Sequence, residues 1–230
     1  IQRIEAGSCA HVALSSDGSI VLAATHQGCL TAYDVLTGNA LGTVRIDPLC
    51  ALCRAANGPT FFAVGVSSQL YAIHLDGALR VDKVSGDVLI GLTDSHPVQI
   101  LCLADGRMLV IGFHSGALIL FDWQEQRVVR LWPAGGAFLK GAILVNGAGA
   151  IASKGTKIAG HISHGASLHF LLPDGKTDNV QSPHSHPISG VAALESGLAL
   201  SVDTGGTAVF WRRGKPVRVH RFEDTEFTAC

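Results

Sequence analysis

Four groups of side chains in this sequence have types and spacings that chemistry could use. His161 and His164 stand close together with Lys154 and Lys157 shortly before them, offering imidazoles to a metal or cations to a phosphate. A structural zinc takes four donors, and no cysteine or carboxylate sits at ligand spacing here, so no metal is expected. Cys50-Ala51-Leu52-Cys53 has the CxxC spacing of redox and metal sites. It lies in an apolar strand pattern with no helix following, whereas a reactive thiolate needs a helix N-terminus or a neighbouring cation. Core packing is the reading for both thiols. Pro183-His184-Ser185-His186-Pro187 brings two more imidazoles together, again without further donors. The last group is basic: Arg212, Arg213, Lys215, Arg218 and Arg221 are five of the chain's 17 cationic residues. They could meet an acidic protein, RNA or a phosphoinositide headgroup. Equally, they could form a solvated edge strand whose charge discourages pairing.

Catalysis finds no support in the pattern. There is no nucleophile elbow, phosphate-cradling glycine loop or pair of carboxylates at working distance, and acidic residues fall singly in turns. Neither an enzyme nor a bound cofactor is expected.

The elements that would position these groups are legible from a repeat. Asp17-Gly18, Asn57-Gly58, Asp105-Gly106, Asn146-Gly147 and Ser196-Gly197 are turns of one kind, spaced roughly 40–50 residues apart. A second landmark moves with them: the residue closing a later strand is Tyr33, Ile73, Phe121, Leu171 and Trp211. Two registers advancing together mean one unit copied five times. In the first copy, Ala10–Leu14, Ile20–Ala24, Leu30–Asp34 and Leu41–Val44 read as strands, separated by turns ending at Gly18, Gly28 and Gly38. Each copy is therefore a four-stranded antiparallel meander, with units near 7–45, 49–84, 96–132, 140–181 and 187–223. No window keeps a helical period. The expectation is an all-β propeller in one domain spanning 1–230, since such a sheet buries both faces only by stacking on its neighbours. Ile1 to Ala6 reads as an outer strand, and Glu226 to Cys230 as the start of an inner one. Five blades and these partial strands would then belong to a ring of six or seven.

Composition agrees with a binding role. The 230 residues carry a net charge of -1, with 15% charged and 47% hydrophobic. So few charges leave an uncharged surface, as in a subunit packed into an assembly, and the balance gives no general pull toward nucleic acid or membrane. Apolar runs are short, well below the roughly 20 residues of a membrane helix. The six cysteines show no disulfide framework and fit reduced thiols inside a cell, the cytoplasm before the nucleus.

The units resemble WD40 repeats along essentially the whole chain. Ser95-His96 and Ser185-His186 stand where that family carries Gly-His. Tyr33-Asp34, Phe121-Asp122 and Trp211-Arg212 stand where it carries Trp-Asp, and Leu200 to Trp211 is the best-matching segment. The resemblance implies structural roles for His96, His186, Ser201, Asp203 and Trp211 in a His–Ser–Asp–Trp hydrogen-bond network. His184 is left as a solvated loop residue. The resemblance further implies a rigid, non-catalytic platform for protein partners.

Irregularities in the repeat mark candidate binding surfaces. One insertion lengthens the second-to-third-strand connection of unit four and carries Lys154, Lys157, His161 and His164. The other is the link between units two and three, 85–94, with Leu89 and Leu92. In a propeller both connections emerge on one face, so these six residues are the expected partner contacts. The basic strip Arg212, Arg213, Lys215, Arg218 and Arg221 is the alternative, an anion-reading rim; nucleic acid or lipid contact is the lesser expectation.

Overall fold

The structure is a computed structural model that describes residues 9–84, 89, 95–103, 106–115, 117–132, 137–143, 150–158, 161–171, 177–180, 183–186, 188–193, 198–212 and 215–223. Of the described residues between 137 and 180, and of 192–193, it gives the backbone alone. The strands expected at Ile1 to Ala6 and Glu226 to Cys230 lie outside the described residues. Every regular element among those described is a strand.

Five antiparallel sheets of four strands follow one another, each paired in sequence order. The first contains β1 (Cys9–Leu14), β2 (Ile20–Thr25), β3 (Cys29–Asp34) and β4 (Ala40–Arg45). The second contains β5 (Leu49–Arg54), β6 (Thr60–Gly65), β7 (Leu70–Leu75) and β8 (Leu79–Val84). The third is β9 (Pro97–Cys102), β10 (Met108–Phe113), β11 (Leu118–Asp122) and β12 (Arg127–Trp132). The fourth is β13 (Ala137–Ile143), β14 (Ala150–Ile158), β15 (His161–Leu171) and β16 (Thr177–Val180). The fifth is β17 (Ile188–Ala193), β18 (Leu198–Asp203), β19 (Thr207–Arg212) and β20 (Lys215–Arg221).

The turns form for local reasons. Gly18 donates its N–H to the Ser15 carbonyl at 3.0 Å with φ 74°, a left-handed conformation that costs glycine nothing. Asp17 fastens this turn by accepting from the Ser15 hydroxyl at 2.6 Å and the Ser19 N–H at 3.1 Å. Those bonds, that of Ser15 first, hold its carboxyl down to about 2. Gly28 has a second constraint besides its φ of 76°: a Cβ there would lie 2.1 Å from the Ile46 carbonyl oxygen. A β-bulge near the start of the first strand recurs in four sheets, at Cys9/His11, Leu49/Ala51, Phe138/Lys140 and Ile188/Gly190. The bulge is part of the repeat, although no residue type announces it.

Burial follows strand position. β6, β10 and β11 are buried almost throughout, whereas β4, β12 and β20 are mostly exposed. An unbroken apolar run such as Phe61-Phe62-Ala63-Val64 suits a strand covered on both faces. The chain divides into two compact units. One comprises 1–102, 106–111 and 120–129, the other 103–105, 112–119 and 130–230. In the first, Leu22, Ala24, Leu30 and Ala32 of the first sheet pack against Leu49, Phe61, Ala63, Tyr71 and Ile73 of the second. In the second unit the buried side chains include Trp211, Val209, Ala199 and Ile188.

Candidate functional site

The most chemically suggestive cluster lies in the fifth sheet. β18 alternates buried and half-buried residues, which turns Ser201 and Asp203 to the same, buried side. β19 places Trp211 on that same side, opposite Ala199, and its indole N–H donates to Ser201 Oγ at 2.7 Å. The fourth member is His184. Its Nε2 lies 2.6 Å from Ser201 Oγ and its Nδ1 2.9 Å from Asp203 Oδ2. Asp203 Oδ1 also accepts the N–H groups of Thr207 and Gly205 at 2.8 and 3.0 Å.

Charge and protonation follow from these contacts. Burial raises the Asp203 carboxyl, but the Thr207 N–H and His184 bonds outweigh it and leave it below its ordinary value. Burial is also the largest influence on His184 and lowers it, against the pull of Asp203. The histidine is therefore neutral, with Nδ1–H donated to the carboxylate and the Nε2 lone pair accepting the serine hydroxyl. A Ser-His-Asp relay of this geometry could serve a nucleophile. Here the Ser201 oxygen is fully buried and already carries the Trp211 N–H, so no substrate reaches it. The cluster ties the His184 segment to β18 and β19.

The role given to His186 from sequence is thus corrected. His186 is exposed, its ring bonds to the Ser185 hydroxyl at 3.1 Å, and it lies over Gly205, where a Cβ would meet its Nδ1. His184, read as a solvated loop residue, is the buried member. His96 is exposed as well. Ten residues before Trp211 stands Ser201; at the same offset the first three sheets carry Ala23, Ala63 and Ile111, all buried. Those three sheets carry no hydroxyl at the position that Ser201 holds in the fifth.

The remaining candidates are scattered. Lys154 and Lys157 belong to β14 and His161 and His164 to β15, where Lys157 pairs with Ile162 and Ile158 with His161. The insertion is a longer hairpin. Leu89 is only 3% exposed, which corrects its reading as a partner contact: it is spent on the protein's own core. Leu92 and Arg213 lie outside the described residues. Arg212, Lys215, Arg218 and Arg221 are all exposed on β19 and β20. Cys50 and Cys53 are reduced, and burial pushes both thiols up, making them poor nucleophiles.

Comparison with solved structures decides the fold. The beta-propeller domain of Cps50 (Swd1) from Myceliophteria thermophila superimposes with a TM-score of 0.68 over 94% of this chain and 74% of that one, at 14% identity. The chain has a β-propeller fold. No family model and no curated protein sequence matches it. At this identity the likeness speaks for the propeller architecture and its meandering sheets alone, so any function must be argued from the chain's own residues. Among the described residues of this propeller no helix is long and apolar enough to cross a membrane.

Proposed function

We propose that this propeller is of WD40 type and serves as a non-catalytic platform for protein partners within a larger assembly. The observation that carries this reading is the second hairpin of the fourth sheet. β14 and β15 run for 9 and 11 residues, where their counterparts β2 and β3, or β18 and β19, need 6. The extension begins at a register shift between Lys154 and Thr156 and continues through Ile158 paired with His161. A sheet is complete without it, so a hydrogen-bonded extension of this kind serves something outside the sheet. The sparse surface charge and the burial of the Ser-His-Asp cluster support a binding role over a catalytic one.

Deleting residues 156–163 and joining the hairpin at its ordinary length is the direct test. The full-length protein should keep its melting temperature and lose at least one protein that co-purifies with it from cells. An unchanged set of companions overturns the assignment of this hairpin as the contact.

A further inference from the structure

The sequence drew no attention to Arg45, Asp47, Gln69, Tyr71 or Lys83, yet the first compact unit gathers them around an open cleft of about 420 Å³. Arg45 ends β4, Lys83 lies opposite Tyr71 on β8 and β7, and Asp47 and Ser67 come from the loops on either side. The cleft wall is held in place. Asp47 Oδ2 accepts the Ser67 N–H at 3.0 Å and the Ser67 hydroxyl at 2.6 Å. Gly65 leaves the room for it, since a Cβ there would lie 2.3 Å from Asp47 Oδ2. Gln69 donates its amide N–H groups to the Leu70 and Val84 carbonyls at 3.0 and 3.4 Å, leaving its Oε1 as an acceptor.

Two cations border this cleft without a carboxylate partner among the described residues. Arg80, nearby on the same strand as Lys83, shows the contrast, because its Nε lies 3.3 Å from Asp82. Arg45 and Lys83 against Asp47 give the cleft one net positive charge. A monoanion neutralises that charge. A phosphate dianion would leave excess negative charge beside a fixed Asp47 carboxylate. Tyr71 is 4% exposed, and burial, with the Asp47 charge second, raises its phenol, so the hydroxyl stays protonated and able to donate. The volume falls at the small end of ligand clefts and suits one side chain with its flanking backbone.

We propose that this cleft receives a glutamate or aspartate side chain from an acidic segment of a protein partner. The carboxylate sits between Arg45 and Lys83, with the Tyr71 hydroxyl donating to it, and Gln69 Oε1 accepts a peptide N–H. The proposal rests on the partner-platform reading and gives it a second, chemically defined contact.

Fluorescein-labelled hexaglutamate, hexaglutamine and hexaphosphoserine peptides test it by anisotropy on the full chain. Hexaglutamate should bind more tightly than either of the others, and more weakly as salt rises. Combining Arg45→Glu with Lys83→Glu should weaken it about tenfold or more. Both side chains are exposed, so folding is not at stake, and an unchanged melting curve checks this. Arg80→Glu and the pair Arg218→Glu with Arg221→Glu should leave binding within about twofold. Tighter binding of hexaphosphoserine, equal binding of hexaglutamine, or loss of binding only with the β20 reversals would each overturn the proposal. Co-purification with the cleft variant separates the two readings: partners retained through the β14–β15 hairpin would leave the platform standing even if the cleft failed.

Discussion

Replacing His184 by alanine, with His186→Ala alongside, measures what the buried network contributes. His184→Ala removes two hydrogen bonds, to Ser201 at 2.6 Å and to Asp203 at 2.9 Å, from a site with no access to water. Each bond carries about 1 kcal/mol net, and a buried carboxylate losing a donor adds about 1–3 kcal/mol. Asp203 keeps the Thr207 and Gly205 N–H groups, so the lower half of that range applies. Ser201 keeps the Trp211 N–H. A small cavity where the ring stood adds to the loss. The expected cost is about 3–4 kcal/mol, against less than about 1 kcal/mol for His186→Ala, whose ring is exposed. Urea unfolding followed by tryptophan fluorescence gives both numbers from the shift in midpoint at constant slope. Equal losses for the two variants, or the larger loss at His186, would refute the assignment of His184 to the network.

Two further outcomes follow, one from the same contacts and one from the turn glycines of the first sheet. His184 titrates below its unfolded value of 6.5, so the folded state binds fewer protons than the unfolded one as pH falls through that region. Its contribution is complete above the unfolded value and lost on acidification, and Asp203, held below 3.8, adds a second loss at lower pH. The melting temperature should therefore fall as pH drops below about 6.5, and fall less steeply in His184→Ala; parallel curves would count against a buried neutral imidazole. Gly28→Ala should cost at least about 3 kcal/mol, because a Cβ would meet the Ile46 carbonyl as well as a φ of 76°. Gly18→Ala, at φ 74° with nothing within 4 Å, should cost about 1–2 kcal/mol, and the difference in urea midpoints isolates the close approach.

The five-fold repeat was legible because its signals are local. A turn such as Ser15 to Ser19 closes on its own hydrogen bonds, and a strand such as Phe61–Val64 declares by its apolar run that both faces are covered. Spacing between such signals gave the sheets and located the longer hairpin of the fourth. The histidines show where local signals end. His184 and His186 are two residues apart in one irregular segment, and nothing between them says which ring turns inward. Only the register of β18 and β19, which places Ser201, Asp203 and Trp211 on one buried side, makes the choice. Leu89 failed for the same reason, since an apolar residue in a link reads alike whether it faces a partner or its own core.

What the sequence determined by itself was the all-β meander and its period, because alternation and turn chemistry act over a few residues. What the tertiary structure decided was every site. The network in the fifth sheet and the cleft of Arg45, Asp47, Tyr71 and Lys83 each bring together residues roughly 20–40 positions apart, a distance over which neither alternation nor turn type carries information. Whether a polar side chain becomes a strut or an open contact depends on what the packed sheets leave beside it.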